Sequence, residues 1–255
     1  MNRIHALLVC FVLLLAGFFS ACSSSSQDPL LRTVKISPPL KEPNYGSASL
    51  APFNEEKLFQ NLSNEFIFKG RIEKVDEVQI SYNIGTKEDI HMVDQWLSVC
   101  YVKIGSILYG DIPGIKDSIK VVSGQSTRLL AEDEFRLLEG QEYYFITFII
   151  SHNENVNIEN DPLRIPEFGD VMAGTFSDLF PINDGMVSYR DWKFEGGKRS
   201  AVSSELIRDA EITASIDEEA FLSQFSKKIQ EAMSRQVQNE TAPLETTRQN
   251  DIPTN

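Results

Sequence analysis

The sequence predicts a mainly β protein of the β+α class, with a short helix before the strands and an amphipathic helix after them. Apolar and polar residues alternate across residues 66–82, which is the period of a half-buried strand. Residues 143–150 are almost all apolar, as in a strand that is buried on both faces. Pro-Gly and Asp-Gly turn signals separate such runs, so several strands follow one another along the chain.

The elements begin with a short helix over residues 54–62, which Asn54 caps. The alternating strand over residues 66–82 follows, and Gly70 in its middle indicates a sharp bend where a side chain would obstruct closure of the sheet. Residues 128–138 form either a short helix or an irregular crossing. Further strands are predicted over residues 96–109, 118–123, 142–151, 171–180 and 186–192, with a tight turn over residues 183–185.

The C-terminal helix is predicted from a capping box that starts at Ser215 and ends at Glu218. An apolar stripe at helical spacing follows, and such a stripe usually packs on a core; a docking helix for a partner is the alternative. From Gln236 the chain is polar, which predicts a disordered tail. The stripe consists of Phe221, Leu222, Phe225, Ile229 and Met233.

The first 21 residues have the pattern of a secretory leader. One basic residue, Arg3, precedes an apolar run over residues 6–19, which is shorter than the about 20 residues of a membrane-spanning helix. Ser20, Ala21 and Cys22 follow, and this ending resembles the signal of bacterial lipoproteins. A retained membrane anchor and ordinary cleavage after Ala21 are the alternatives. The run is short for the first, and the large Phe19 is unfavourable for the second.

The lipoprotein resemblance implies that Cys22 becomes the first residue of the mature chain. Its thiol would carry a diacylglyceryl group and its new amine an acyl chain, and two or more acyl chains hold a protein on a membrane. No other cofactor is expected. The implied location is the cell envelope. Ser23 favours the outer membrane, facing the periplasm, if the source has two membranes; otherwise the chain would lie on the outer face of the cell membrane.

The domain organisation follows from these elements. The sequence predicts a signal peptide over residues 1–21 and a lipidated flexible tether, rich in Ser and Pro, over residues 22–53. A β domain over residues 54–195 comes next. A connector and the C-terminal helix occupy residues 196–235, and the disordered tail occupies residues 236–255.

The β domain has a resemblance in the order of its strands. Its runs resemble the small OB-like antiparallel β-barrel domains of secreted bacterial proteins, which are similar in outline to netrin-like and metalloproteinase-inhibitor barrels. The resemblance implies ligand binding on one sheet face and its adjoining loops, here residues 83–94 and 151–168. Inhibition is not implied, because the inhibitors need disulfides and a free N-terminal cysteine. The matching runs are residues 66–72, 99–104, 108–111, 117–121 and 138–145.

Composition and motifs argue against several functions. A net charge of −13 is unfavourable for a nucleic-acid partner, which needs a basic surface. Cys100 lies in an apolar run and is interpreted as a buried small hydrophobe. His91 and His152 are too few for a histidine-based zinc site. Asn153, Asn155, Asn157, Glu159 and Asp161 resemble the start of a calcium loop, but the glycine and the bidentate glutamate of such a loop are replaced by Ile158 and Arg164.

No catalytic residue and no metal ligand are therefore predicted. The sequence favours a non-enzymatic envelope lipoprotein that binds an envelope protein, a glycan or a small ligand, or that assembles with a larger complex through its C-terminal helix or tail. An envelope hydrolase that uses acidic residues such as Asp133 and Glu134 is one alternative. A weak calcium-binding module is another.

We expect Cys22→Ser to abolish lipid attachment, because serine has no thiol from which the thioether can form. The variant should move from the detergent phase to the aqueous phase in a detergent partition of cells, or remain unprocessed and migrate more slowly on a gel. Cys100→Ser is the matched control and should partition like the wild type. Identical partition and migration of Cys22→Ser and the wild type would contradict lipidation.

Overall fold

The structure, a computed structural model, describes residues 32–46, 65–83, 89–111, 117–151, 171–175, 179–199, 202–209 and 213–241. The predicted signal peptide, the lipid site Cys22 and the predicted helix over residues 54–62 lie outside the described residues. The calcium-loop candidate over residues 153–161 and His152 lie outside them as well.

Twelve strands and one helix form within the described ranges. Strands account for 55% of the described residues, so the mainly β prediction is confirmed. No helix in these ranges is both long and apolar enough to cross a membrane. The elements are β1 (Arg32–Ser37), β2 (Tyr45–Gly46), β3 (Glu65–Asn83), β4 (Met92–Tyr109), β5 (Ser118–Ser123), β6 (Leu130–Ala131), β7 (Glu142–Ser151), β8 (Val171–Thr175), β9 (Leu179–Asn183), β10 (Met186–Arg190), β11 (Lys198–Arg199), β12 (Thr213–Asp217) and α1 (Glu218–Thr241).

Ten of the strands form one large, mostly antiparallel sheet in the order β1-β3-β4-β5-β8-β7-β9-β10-β12-β11. Within it, β5 and β8 run parallel, and β3 pairs with β7 in addition to its place beside β4. As a whole this sheet is not a closed barrel, and the OB-like barrel stays a prediction. β2 and β6 form a separate parallel pair.

The strand expected over residues 171–180 is in fact two strands, β8 and β9. They have different partners, because β8 pairs with β5 and the end of β7, whereas β9 pairs with the start of β7 and with β10. The predicted tight turn between β9 and β10 is confirmed. Asp184 and Gly185 have φ angles of 49° and 73°, the left-handed values that a two-residue hairpin turn requires.

The chain divides into two compact units. The first comprises Met1–Val34 and Ile80–Asp94. Within it, the hydroxyl of Ser81 donates to Asp94 Oδ1 at 2.6 Å, and the backbone N–H of His91 donates to Asn83 Oδ1 at 2.8 Å. These hydrogen bonds join the facing ends of β3 and β4 beside the predicted loop over residues 83–94. The second unit comprises Lys35–Gln79 and Gln95–Asn255.

The second unit contains two hydrophobic cores, and β7 separates them. Tyr143 and Phe145 face the first core, while Tyr144 and Ile146 face the second, because successive strand residues point to opposite sides. All four are at most 7% exposed, so the predicted burial of this strand on both faces is confirmed. The ring centroids of Phe145 and Phe68 lie 5.0 Å apart, which joins β7 to β3 across the first core.

Gly70 lies where β3 crosses close to β4. A Cβ atom built on it would be 2.5 Å from Cγ1 of Val102 and 3.1 Å from Cε2 of Phe68. A side chain at this position would therefore displace the first core. The prediction that a side chain at residue 70 would be obstructed is confirmed, while the closure of the sheet at this point stays a prediction.

The predicted flexible tether over residues 22–53 is wrong for residues 35–46, which we name the strap. The strap contains the end of β1 and all of β2, and Tyr45 and Gly46 pair with Leu130 and Ala131 of β6. Backbone N–H and C=O groups of the strap are therefore hydrogen-bonded to other parts of the chain and not to water alone. Three of the prolines that suggested a spacer, Pro38, Pro39 and Pro43, lie between β1 and β2, where they leave no backbone N–H to satisfy.

The start of α1 differs from the prediction. Asp217 Oδ1 accepts the backbone N–H groups of Glu219 at 2.9 Å and Ala220 at 3.3 Å, so Asp217 is the cap. The predicted cap, Ser215, lies instead in β12, opposite Ser188 of β10. The chain thus passes from strand to helix without a loop.

The apolar stripe of α1 packs on the second core, as predicted. Phe221, Phe225 and Ile229 are buried, and the ring of Phe221 lies 5.0 Å from that of Tyr144 on β7. Met233 is 43% exposed, so the stripe ends before it. α1 continues to Thr241, and the disordered tail predicted from Gln236 is therefore wrong for its first residues.

Glu218 links the first turn of α1 to β3 and β7. Its Oε1 accepts the ammonium of Lys69 at 2.7 Å and the hydroxyl of Tyr144 at 2.6 Å. Burial acts to raise the pKa of Glu218, but the hydrogen bonds from Lys69 and Tyr144 outweigh it, and the net pKa lies below the usual 4.5. Burial, followed by the bond to Glu218, raises the pKa of Tyr144 above its usual range.

The ionised form of Glu218 stabilises the fold above about pH 4.5, and this stabilisation is lost as the pH falls through the lowered pKa. We therefore expect Glu218→Gln to reduce the free energy of unfolding at pH 7 and to reduce it less at pH 3, measured by urea denaturation. Glu219→Gln removes the same charge one residue away and should leave the pH dependence nearly unchanged. Equal losses at both pH values in Glu218→Gln would contradict this assignment.

Candidate functional site

The predicted lipid site Cys22 lies outside the described residues, and so do His152 and the calcium-loop candidate. His91 is exposed, and its Nε2 lies 3.2 Å from Asp89 Oδ2 in the first unit. Within the described ranges, no group of three or more His, Cys, Asp or Glu side chains is placed to hold a metal ion.

Cys100 is fully buried in the first core, between β3 and β5. Burial raises the pKa of its thiol well above the usual range, so the group stays neutral at ordinary pH. The interpretation of Cys100 as a buried small hydrophobe is confirmed.

Asp133 and Glu134, the acids of the hydrolase alternative, lie beside Arg190 of β10. Asp133 Oδ2 is 2.7 Å from Arg190 Nη1, and Asp191 Oδ2 is 2.7 Å from Arg190 Nε. Burial raises the pKa of Glu134, while a backbone hydrogen bond and the charge of Arg190 oppose the rise. Asp133 thus has a cationic partner that holds the turn over residues 132–134 on β10. The hydrolase alternative stays a prediction.

The most deeply buried charged group described in the second unit is the carboxylate of Glu77 on β3, whose side chain is 0% exposed. Its Oε1 accepts both the backbone N–H and the hydroxyl of Thr127 at 2.5 Å. Its Oε2 accepts a hydrogen bond from Nε of Arg128 at 3.1 Å. The guanidinium of Arg128 also lies 5.3 Å from the centre of the Trp96 ring. We name Glu77, Thr127 and Arg128 the clamp. The clamp satisfies both carboxylate oxygens, as a buried charge requires.

The clamp binds the strap directly. The hydroxyl of Thr127 accepts the backbone N–H of Leu40 at 2.7 Å, and the carbonyl of Thr127 accepts the N–H of Asn44 at 2.8 Å. Nη2 of Arg128 donates to Ser37 Oγ and to the carbonyl of Pro38, each at 3.4 Å. A single buried carboxylate therefore orients the two side chains that hold both halves of the strap.

Two further arginines complete the attachment of the strap. Nη2 of Arg136 donates to the carbonyl of Lys41 at 3.4 Å. The guanidinium of Arg208 lies 4.8 Å from the ring of Tyr45 and also pairs with Glu132 at 3.0 Å. The strap is thus held along its length by side chains that are remote from it in sequence.

A separate cavity of about 440 Å³ lies between the hairpin of β9 and β10 and the segment over residues 202–206. We name it the polar cavity. This volume falls within the about 300–1,000 Å³ of small-ligand sites. Its apolar lining comes from Leu138, Met186, Val202 and Leu206.

The remaining lining of the polar cavity is polar, and its serines are buried. Ser188 and Ser215 are 4% and 6% exposed, and they face each other across β10 and β12. Both residues line the cavity. The cavity wall formed by β10 and β12 therefore carries two hydroxyl groups, and each can donate or accept a hydrogen bond.

The alternation of β10 and β12 explains why this side is polar. Val187 and Tyr189 of β10 and Ile216 of β12 face the second core and α1. Ser188 and Ser215 therefore point to the opposite side, where a sequence pattern predicts solvent. Instead, the segment over residues 202–206 covers them, because Val202 and Leu206 pack into the first core. The face of β10 and β12 that the pattern predicts to be exposed to solvent therefore forms one wall of the cavity.

Sequence reasoning missed both sites. The only signal for the clamp is the break in alternation over residues 74–77 of β3, which gives no hint that the carboxylate of Glu77 is buried. The polar cavity depends on how a segment without regular structure folds over a sheet, and no spacing in the sequence encodes this. No known family, no curated protein and no solved structure matches the chain.

Arg128→Ala would leave the carboxylate of Glu77 buried without a cationic partner. We expect it to lower the free energy of unfolding by about 3 kcal/mol and to make the strap sensitive to trypsin at Lys35 and Lys41, measured by urea denaturation and limited proteolysis. The control is Arg71→Ala, since Arg71 is 59% exposed in its pair with Glu142 and should cost at most about 1 kcal/mol. A strap that resists trypsin in Arg128→Ala would show that the clamp does not hold it.

Proposed function

We propose that the chain is a membrane-anchored envelope lipoprotein that acts as a non-enzymatic binding or assembly module, with the polar cavity as its binding site. The polar cavity carries the binding part of this proposal, because it combines a ligand-sized volume with a lining of both apolar and polar side chains. The leader and Cys22 support the anchored part. An envelope protein or a glycan is the proposed class of partner.

We further propose that part of the large sheet is an OB-like barrel. The support comes from the pairing order, in which β3, β4, β5, β8 and β7 are successive neighbours and β7 pairs again with β3. The parallel pair within this set, β5 with β8, is what a Greek-key path of five strands needs when its third and last strands meet. The first core lies among these strands, with Cys100, Val121 and Phe145 at its centre.

The strap bears on the reach of the anchor. Fourteen residues lie between Cys22 and Ser37, where the clamp first holds the chain, and a stretch of this length spans about 50 Å at most even when fully extended. A free tether ending at residue 53 would reach about twice as far. The second unit therefore stays close to the membrane and samples a small volume, which favours a partner at the same membrane.

Met186 offers a direct test of binding at the polar cavity, since it lines the cavity and is 37% exposed. We expect a photo-crosslinking amino acid at this position, in the full-length protein in cells, to form an adduct that mass spectrometry identifies as an envelope component. Binding at the cavity places the partner within reach of this side chain.

Ile107 of β4, which is 51% exposed, is the control position for the same reagent. It should not form the adduct, because it does not line the cavity. The binding role fails if position 186 forms no adduct in native envelopes, or if both positions form the same adducts.

A further inference from the structure

We propose that the polar cavity takes a primary ammonium group on an aliphatic stem, as in a free diamine or a lysine side chain. This inference rests on the proposed binding role of the cavity and names the chemistry of its ligand. The first support is charge. Asp184 and Glu205 contribute carboxylates to the lining, and no Lys, Arg or His is among the described lining residues.

Two of the nearby cations, Arg136 and Arg190, are engaged elsewhere, while Lys198 lies opposite Ser215 in β11 and is not among the described lining residues. Arg136 donates to the backbone carbonyls of Glu205 and Lys41. Neither of these hydrogen bonds involves the side-chain carboxylate of Glu205. Arg190, on the same face of β10 as Ser188, pairs with Asp133 and Asp191. These two arginines therefore do not neutralise the negative charges of Asp184 and Glu205 at the cavity.

The hydrogen-bonding groups match an ammonium better than an anion. The side-chain N–H₂ of Gln141 donates to the carbonyls of Ile182 at 2.6 Å and Glu142 at 3.0 Å, so only its oxygen remains for a ligand. The hydroxyls of Ser188 and Ser215 can each accept hydrogen bonds as well as donate one. An ammonium has three donors and no acceptor, and this acceptor-rich lining complements it.

The apolar lining fits the methylene stem of such a ligand. Leu138, Met186 and Leu206 provide aliphatic surface beside the polar groups, and a lysine stem packs on such surface while its charge stays hydrogen-bonded. An anion would be repelled by Asp184 and Glu205. Of the two proposed classes of partner, a glycan fits this lining less well than a protein with a lysine side chain, because no aromatic ring for stacking is among the described lining residues. The net charge of −13 adds a long-range attraction for cations.

The test is calorimetric titration of the full-length protein in detergent with 1,5-diaminopentane. The matched probe is 1,5-pentanediol, which has the same stem and no charge. We expect the diamine to bind and the diol not to bind. Glu205→Gln should weaken diamine binding about tenfold or more, since it removes a charge-assisted hydrogen bond. Glu73→Gln removes an exposed carboxylate of β3, away from the cavity, and should leave binding unchanged.

Asp184→Asn provides a second variant whose fold is secure, because asparagine tolerates the φ of 49° found at Asp184. It should also weaken diamine binding. A short peptide with one lysine distinguishes the two sources of the ammonium. Tighter binding of the peptide than of the diamine indicates a lysine side chain of a protein partner, and the reverse order indicates a free polyamine.

Ammonium specificity is overturned if the diol binds as tightly as the diamine, if neither binds, or if Glu205→Gln and Asp184→Asn bind the diamine like the wild type. These results are separable from failure of the proposed function. If position 186 forms an adduct but the protein does not bind amines, the proposed binding role stands and only the proposed ammonium ligand is rejected. If there is neither an adduct nor amine binding, both the binding role and the ammonium ligand are rejected.

Discussion

The buried carboxylate of Glu77 is the constraint on which the arrangement of the second unit depends. A charge removed from water must be neutralised and hydrogen-bonded, and Thr127 and Arg128 supply both requirements. These two residues can do so only when the turn that carries them lies against β3. In that position they also bind the strap, so one electrostatic requirement orders the turn, β6 and the segment that precedes the β domain.

A second theme is the use of both faces of the same strands. β7 divides the second unit into two cores, and the residues that cover the first core also create the polar cavity. Val202 and Leu206 are anchored in the first core, while Ser203 and Glu205 between them line the cavity. The position of a proposed binding site is thus set by ordinary apolar packing on the other side of one short segment.

Periodicity predicted what depends on nearest neighbours along the chain. The strands β5 and β7, the turn at Asp184 and Gly185, and the buried stripe of α1 follow from alternation, turn chemistry and helical spacing. The strap, the division into β8 and β9, and the cap at Asp217 depend on partners far away in sequence. Proline content made the strap resemble a spacer, because composition does not reveal that Thr127 and Leu130 complete its backbone hydrogen bonds. For the candidate site, the sequence shows the serines of β10 and β12 but not the segment that covers them.

The burial of Cys100 has a consequence for how the protein can be followed in solution. A thiol at the centre of the first core, with 0% exposure and a raised pKa, is closed to alkylating reagents while β3, β4 and β5 stay together. Its modification requires an opening event that brings solvent to the core. The labelling rate of this cysteine therefore reports the opening equilibrium of the first core, and local unfolding can be measured without introducing a new cysteine.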